Sequence, residues 1–309
     1  MEKRDFLCPS SDGIHTLVGR VYIPEGEIKG FFQIAHGMTE HIGRYDRIMT
    51  DLTEEGYLCF GYDHLGHGKT AKDKSELGFI AKKRGWELLA KDVKQFSDAV
   101  RNEFDMQNDL PYFLMGHSMG SFVVRVSAES FANPDKLIVM GTGGSNPASR
   151  AGIALTDVIK FFRGAKYISK LVDKLAFGSY NGRFKNDSDF NSKSWLSTDQ
   201  EIRNKYLEDD YCTFKFTVSA MGDLMRLLKR CNRAAWFKNI RSDMPILLVS
   251  GEDDPVGGFG QGIRQVESRL KKQGKQVECI LYKGGRHEIL NDFTYGDVKN
   301  DVLSFISKN

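Results

Sequence analysis

Residues 116–120 read Gly-His-Ser-Met-Gly and follow the apolar run 111–115. A Gly-x-Ser-x-Gly segment set between a strand and a helix makes a sharp turn that pushes the serine hydroxyl clear of the backbone. The flanking glycines are needed because a side chain at either place collides with neighbouring chain in so tight a bend. The pattern nominates Ser118 as a nucleophile. It also constrains the fold, because the turn needs a strand that feeds directly into a helix. The flanks comply: Phe113-Leu114-Met115 reads as a short buried strand, residues 121–128 as a buried helix without Gly or Pro, and residues 137–140 as the next strand.

A serine hydroxyl needs a base, and the base needs an orienting carboxylate. In the chain order Ser, acid, His, the acid falls just after a later strand and the histidine near the C-terminus. Residues 245–250 (PILLVS) predict such a strand, and the turn Gly251-Glu252-Asp253-Asp254-Pro255 follows it. Residues 276–282 (QVECILY) alternate and predict the last strand, followed by Lys283-Gly284-Gly285-Arg286-His287. His287 is the only histidine after Ser118, which makes it the candidate base. Asp254 is the preferred acid because the residue before a proline is biased toward extended backbone; Asp253, beside Glu252, is the alternative. Both candidates fall just beyond the C-terminal ends of strands, where a parallel sheet gathers its ligands. Residues 30–35 (GFFQIA) predict another strand, followed by His36-Gly37-Met38. The backbone N–H of Met38, with that of Met119, is the expected oxyanion hole, each donor contributing about 3–4 kcal/mol to the transition state.

The stretch His36-Gly37-Met38-Thr39-Glu40-His41-Ile42-Gly43-Arg44-Tyr45 resembles the HGxxEHxGRY segment of α/β-hydrolases of the monoacylglycerol lipase and lysophospholipase branch, a serine-aminopeptidase-like group. Asp63-His64-Leu65-Gly66-His67-Gly68 is similar to the DHxGHG turn after the fourth strand of that family, and Phe177-Gly178-Ser179-Tyr180-Asn181 to a cap segment of its bacterial members. The resemblance covers nearly the whole chain, departing at Lys69-Thr70, where many relatives carry a residue followed by Ser. It implies an α/β-hydrolase fold with a mostly parallel eight-stranded sheet, flanking helices and an inserted helical cap. It also implies Ser118, Asp254 and His287 as a triad, Met38 and Met119 as oxyanion donors, and no cofactor.

Between the strand ending near Gly141 and the strand at Pro245 the chain is far too long for an ordinary loop. Residues 147–240 are therefore expected to fold as a cap inserted in a core made of 1–146 and 241–309. The cap holds 17 Lys and Arg against 10 Asp and Glu, while the rest of the chain holds 27 basic and 31 acidic residues, so the net charge of +3 hides a basic insert on an acidic body. Three sets in it repeat at helical spacing: Leu155, Val158, Ile159 and Phe162; Ile168, Leu171, Val172 and Leu175; Met221, Leu224, Met225 and Leu228. They are expected to pack on the body, part of them lining an acyl-chain tunnel. Lys160, Arg163, Lys166, Lys170 and Lys174, with Arg226, Lys229 and Arg230, would then favour transient contact with an anionic membrane surface.

Other features point away from rival functions. No apolar run reaches the ~18 residues of a spanning helix, and the charged N-terminus lacks the apolar stretch of a signal peptide. Five scattered cysteines predict reduced thiols and a cytoplasmic setting. His36, His41, His64 and His67 match no zinc-ligand pattern and are expected to be structural, so no metal is implied; His117 is expected to pack. Gly257-Gly258-Phe259-Gly260 lacks the Lys and Ser/Thr of a phosphate loop, and only the insert's charge would favour nucleic acid. The expected chemistry is ester hydrolysis of a monoacyl lipid through an acyl-enzyme. An aminopeptidase using Glu208, Asp209 or Asp210 for the substrate amine, a thioesterase on the same triad, and a non-catalytic small-molecule binder are the alternatives.

Overall fold

The computed structural model describes residues 1–105 and 109–308. The chain opens with the hairpin β1 (Glu2–Pro9) and β2 (Thr16–Ile23) and continues through β3 (Gly30–Ala35), α1 (Asp46–Glu54), β4 (Tyr57–Tyr62), α2 (Gly85–Phe104), β5 (Tyr112–His117), α3 (Met119–Ser130) and β6 (Lys136–Met140). Five helices follow: α4 (Ser149–Arg163), α5 (Lys170–Phe177), α6 (Gln200–Glu208), α7 (Val218–Cys231) and α8 (Ala234–Asn239). The fold closes with β7 (Ile246–Gly251), α9 (Gln261–Lys272), β8 (Val277–Tyr282) and α10 (Tyr295–Ser307).

The strands form one eight-stranded sheet in the order β1-β2-β4-β3-β5-β6-β7-β8. Only the β1–β2 and β2–β4 pairings are antiparallel. Every residue of β3, β4, β5 and β7 is buried, as expected of parallel strands covered on both faces, which read as continuous apolar runs. On one face, Leu89, Val93 and Phe96 of α2, Val123 of α3 and Ile263, Val266 and Leu270 of α9 pack against Phe31, Leu114 and Leu248. On the other, Ile48, Met49 and Leu52 of α1 and Val298, Val302 and Phe305 of α10 cover Phe32, Met115 and Leu247. β8 lies at the sheet edge and is only partly buried, which its alternating sequence anticipates.

The topology fixes where a site can form. From β3 the chain steps to β4 on one side, and the next strand, β5, pairs on the other side of β3. Loops leaving the C-terminal ends of β3 and β5 therefore diverge over a crevice. Ala35 pairs with Gly116 across that point, so the segment after β3 faces the turn after β5.

Most of the insert's buried side chains join the core of the body, and Leu196, Tyr206 and Cys212, with Trp195 against them, form a small cluster of its own. Met221 and Leu227 of α7 and Trp236 of α8 belong to the same buried cluster as α2 and α3. Trp236 donates its indole N–H to the Arg125 carbonyl at 2.6 Å, and the buried Arg125 guanidinium lies 4.4 Å from the indole ring. The expected stripes behave unequally. Leu155 and Ile159 of α4 pack against the core. Val158 and Phe162, a rotation further round, face solvent with Phe161, which is 83% exposed. Ile168, Leu171 and Leu175 are exposed as well, leaving Val172 as the buried residue of α5. Ile168 also falls outside its expected helix, because the Ser169 hydroxyl accepts from the Val172 N–H and starts α5 at Lys170. The spacing identified a stripe on each helix, but on α4 and α5 no further layer covers the second half of it.

Candidate active site

Ser118 sits between β5 and α3 with φ 53° and ψ −120°, a conformation that costs a non-glycine residue energy and is retained where the surroundings over-determine it. Here its N–H donates to the Met140 carbonyl at 3.0 Å. A Cβ on Gly120 would lie 2.1 Å from the Ala35 carbonyl oxygen, so the turn can seat against β3 only with glycine there. Met119 is the first residue of α3, and its N–H therefore has no intrahelical acceptor. Met38, Ser118 and Met119 all line one cavity of about 560 Å³, within the range of small-molecule sites.

His287 and Asp254 come together beyond the ends of β8 and β7. A Cβ on Gly251 would lie 2.1 Å from the Gly285 carbonyl oxygen, and this close approach lets the two loops touch. His287 Nδ1 lies 2.9 Å from Asp254 Oδ2. The fully buried Asp254 also accepts from the Val256 N–H at 2.8 Å and the Ser250 hydroxyl at 3.2 Å. Burial opposes its ionisation, yet the His287 charge and hydrogen bond and the Val256 amide outweigh that and hold the carboxyl below its usual range. Asp253, the alternative acid, makes a backbone bond to Gly285 instead. His287 lines the cavity with Ser118. Trp195 lies over its ring at 5.1 Å between centroids, and the His287 N–H reaches the Trp195 carbonyl at 3.4 Å.

Behind the site lies a charged network whose pairing the sequence did not indicate, although Glu40, Arg44 and Tyr45 fall in the segment 36–45 singled out above. Glu40 accepts from the Gly37 N–H and from the Tyr45 hydroxyl at 2.8 Å, and its Oε1 lies 3.3 Å from His117 Nδ1. Burial would push the Glu40 carboxyl up; His117, through hydrogen bond and charge, and Arg44 hold it well below the usual range. His117 Nε2 faces the His287 carbonyl at 3.1 Å. Only the doubly protonated ring donates at both nitrogens, and although burial disfavours that charge, Glu40 raises the His117 pKa above its ordinary value. Arg44 donates to both oxygens of Glu288, at 2.6 and 2.7 Å, and to Glu40 at 3.0 Å. The segment after β3 is thus tied through Glu40 to the loop that bears His287. The signal available in the sequence was the density of charge in residues 40–45 directly after a buried strand.

The remaining histidines divide. His36, His64 and His67 are fully buried and cluster with tilted and edge-on rings, His36 4.3 Å from His64 and 5.1 Å from His67. Burial lowers the pKa of His36 to about 4 and of His67 to about 3. His41 Nε2 lies 2.9 Å from Asp209, and these two with Cys212 bring three donor atoms within 4.8 Å of one another. Asp210 pairs with Lys74 at the surface, and none of Glu208, Asp209 and Asp210 lines the cavity. All five cysteines are unpaired, and no helix among the described residues is long and apolar enough to cross a membrane.

A serine on a strand–helix elbow at the switch point of a parallel sheet, lining one cavity with a histidine paired to an aspartate beyond two further strands, fits a class: the α/β-hydrolases that act as carboxylic ester hydrolases. The chain belongs to the serine aminopeptidase S33 family, whose profile matches residues 26–294. Mouse monoglyceride lipase is 32% identical over 296 residues, spanning 95% of this chain and 86% of the relative. The monoacylglycerol lipase of Mycolicibacterium smegmatis is 25% identical, spanning 94% and 92%. A thermostable carboxyl esterase from Bacillus coagulans, solved with glycerol, superposes with a TM-score of 0.92 at 27% identity over 99% of this chain and 98% of its own. A soluble variant of the Saccharomyces cerevisiae monoglyceride lipase shares the fold, with a TM-score of 0.75 at 17% identity over 99% and 94%. The chain thus lies on the monoacylglycerol lipase-like branch of the α/β-hydrolases.

Proposed function

We propose that the protein cleaves monoacyl lipid esters through Ser118, His287 and Asp254. His287 takes the Ser118 proton as the hydroxyl attacks the ester carbonyl, and the Met38 and Met119 amides hold the oxyanion. His287 then protonates the leaving alcohol and later activates water, while Asp254 fixes its tautomer. The observation that carries this reading is the 2.9 Å bond between His287 Nδ1 and a buried, ionised Asp254, on a ring that lines the same cavity as Ser118.

The lining supports an acyl substrate. Met119, Phe122, Phe177, Phe214 and Leu224 give the lining its apolar part, and Thr39, Lys193, Tyr206 and Glu288 its polar part. Residues 147–240 supply most of the roof and act in this reading as a cap. A peptidase would lack a free carboxylate for the substrate amine, because Glu40 and Glu288 are both engaged by Arg44. The exposed Val158, Phe161, Phe162, Leu171 and Leu175, with Lys160, Arg163, Lys170 and Lys174 on the same two helices, suit transient contact with an anionic bilayer. Five unpaired thiols fit a cytoplasmic setting.

A fluorophosphonate probe tests the nucleophile: covalent labelling at Ser118 is expected, and an unlabelled protein would favour a non-catalytic binder. Faster turnover of p-nitrophenyl acyl esters than of aminoacyl anilides is then expected, and the reverse order would return the peptidase reading.

A further inference from the structure

The charged groups that line the cavity are satisfied within the protein, with one exception. Glu288 gives both oxygens to Arg44, and Glu40 accepts from Gly37, Tyr45 and Arg44. At the rim, Asp173 faces Lys215 at 3.3 Å. Lys193 lines the same cavity, and among the described residues its ammonium has no carboxylate within 4.0 Å and no hydrogen-bond acceptor. Its Nζ sits 4.6 Å from the centre of the Tyr206 ring, whose hydroxyl donates to the Thr39 carbonyl at 2.7 Å. The lysine is therefore packed toward the segment after β3 while all three of its donors stay free.

The backbone holds it in place. The Lys193 N–H donates to Asn191 Oδ1 at 2.8 Å, and the Leu196 N–H to the Lys193 carbonyl at 2.8 Å. Trp195, two residues on, lies over His287. Lys193 thus shares the cavity with His287, close to Tyr206 and within the charge field of Glu288, in a lining that also includes Phe122 and Leu224. Glu40, Glu288, Arg44 and Lys193 balance in charge, and once His117 is protonated the cluster carries a positive surplus. Burial pulls the Lys193 pKa down, against the opposing pull of Glu288, so an anion that reached it would replace solvation the ammonium has lost.

We propose that Lys193 is a specificity-determining residue that binds a phosphate carried by the leaving alcohol, which makes the preferred substrate a monoacyl ester of a phosphorylated polyol rather than of a neutral one. This rests on the ester-hydrolase reading above only in assigning His287 to the leaving-group side.

Binding to the Ser118→Ala protein tests the assignment without turnover. The probes are 1-lauroylglycerol 3-phosphate and 1-lauroylglycerol, followed by calorimetry at low salt. The phosphorylated lipid is expected to bind at least about tenfold more tightly, the scale of one charge-assisted contact. Adding Lys193→Met should bring the ratio to within about twofold of one, and Lys193→Arg should keep most of it, which separates loss of charge from loss of fold. Equal affinity for the two lipids, or a preference that Lys193→Met leaves in place, overturns the proposal. Glycerol 3-phosphate should compete better than inorganic phosphate; equal competition would make this a site for free phosphate and overturn its link to the leaving group. A wild-type protein that keeps the binding preference but resists fluorophosphonate breaks the catalytic reading and leaves the Lys193 assignment standing.

Discussion

The strand rim that carries Ser118 and the helical insert that roofs it are built on opposite terms. At the rim, β3 and β5 are buried on both faces, and the turn after β5 is set by glycine contacts too close for any other residue. The charges behind it, Glu40, Arg44, His117 and Glu288, are engaged with one another. In the insert, α4 and α5 leave Val158, Phe161, Phe162, Leu171 and Leu175 to solvent, and among the described residues the Lys193 ammonium has the Tyr206 ring beside it but no carboxylate or hydrogen-bond acceptor. Groups that must not move are placed by backbone in a packed body. Groups proposed to meet a variable lipid sit on elements whose own packing is incomplete, while α7 and α8 join the insert to the buried cluster of the body.

Substitutions sharpen this contrast, beginning with the largest effect. Ser118→Ala should abolish fluorophosphonate labelling and lower ester turnover by about 10⁴-fold or more. Asp254→Asn should cost about 10⁴-fold in kcat, because the asparagine amide favours the wrong imidazole tautomer. Asp253→Asn should cost no more than a few-fold, and the opposite ranking would move the acid one residue along the chain. Glu40→Gln should lower kcat by about 10²- to 10³-fold with little change in KM, since it loosens the segment proposed to present the Met38 amide. A loss confined to KM would instead place Glu40 in the binding site.

The body should also respond to acid in a way the insert does not. Unfolded histidine titrates near 6.5, whereas His36 in the fold is held at about 4 and His67 at about 3 by burial. Between those values the unfolded chain takes up protons that the folded one refuses. Stability is therefore full above about pH 6.5 and falls as pH drops toward 4, by about 2 kcal/mol per buried imidazole at pH 5. The raised pKa of His117 works in the opposite sense, and the depressed Glu40 and Asp254 add to the loss at lower pH. Urea unfolding at pH 7 and pH 5 measures this; equal stability would mean that the clustered rings are solvated. The smallest expected change in stability comes from Phe161→Asp with Phe162→Asp, within about 0.5 kcal/mol, together with loss of co-sedimentation with anionic vesicles at low salt. A large destabilisation would mean that α4 is packed as tightly as the rim.

The sequence disclosed the rim far better than the insert. β3 spans the very residues its apolar run predicted, 30–35, opening on Gly30 and ending at His-Gly. The elbow was legible for the same reason: tight backbone geometry admits few residues. Pro255 separated Asp254 from Asp253, and the carboxylate that meets His287 belongs to Asp254. The network of Glu40, His117 and Glu288 was not legible, since its members lie 77 and more positions apart and charge alone does not say which partners it will find. Helical spacing found the stripes of α4 and α5, but spacing describes one helix and not the layer that would cover it. Lys193 carried no mark at all, because a free ammonium is defined by what the fold fails to bring near it.

The two main-chain bonds from residues 287 and 288 to the carbonyls of Trp195 and Leu196 bind the roof to the loop of the proposed base. A wholesale lifting of residues 195–196 would carry the imidazole out of register, so entry and turnover compete for the same few bonds.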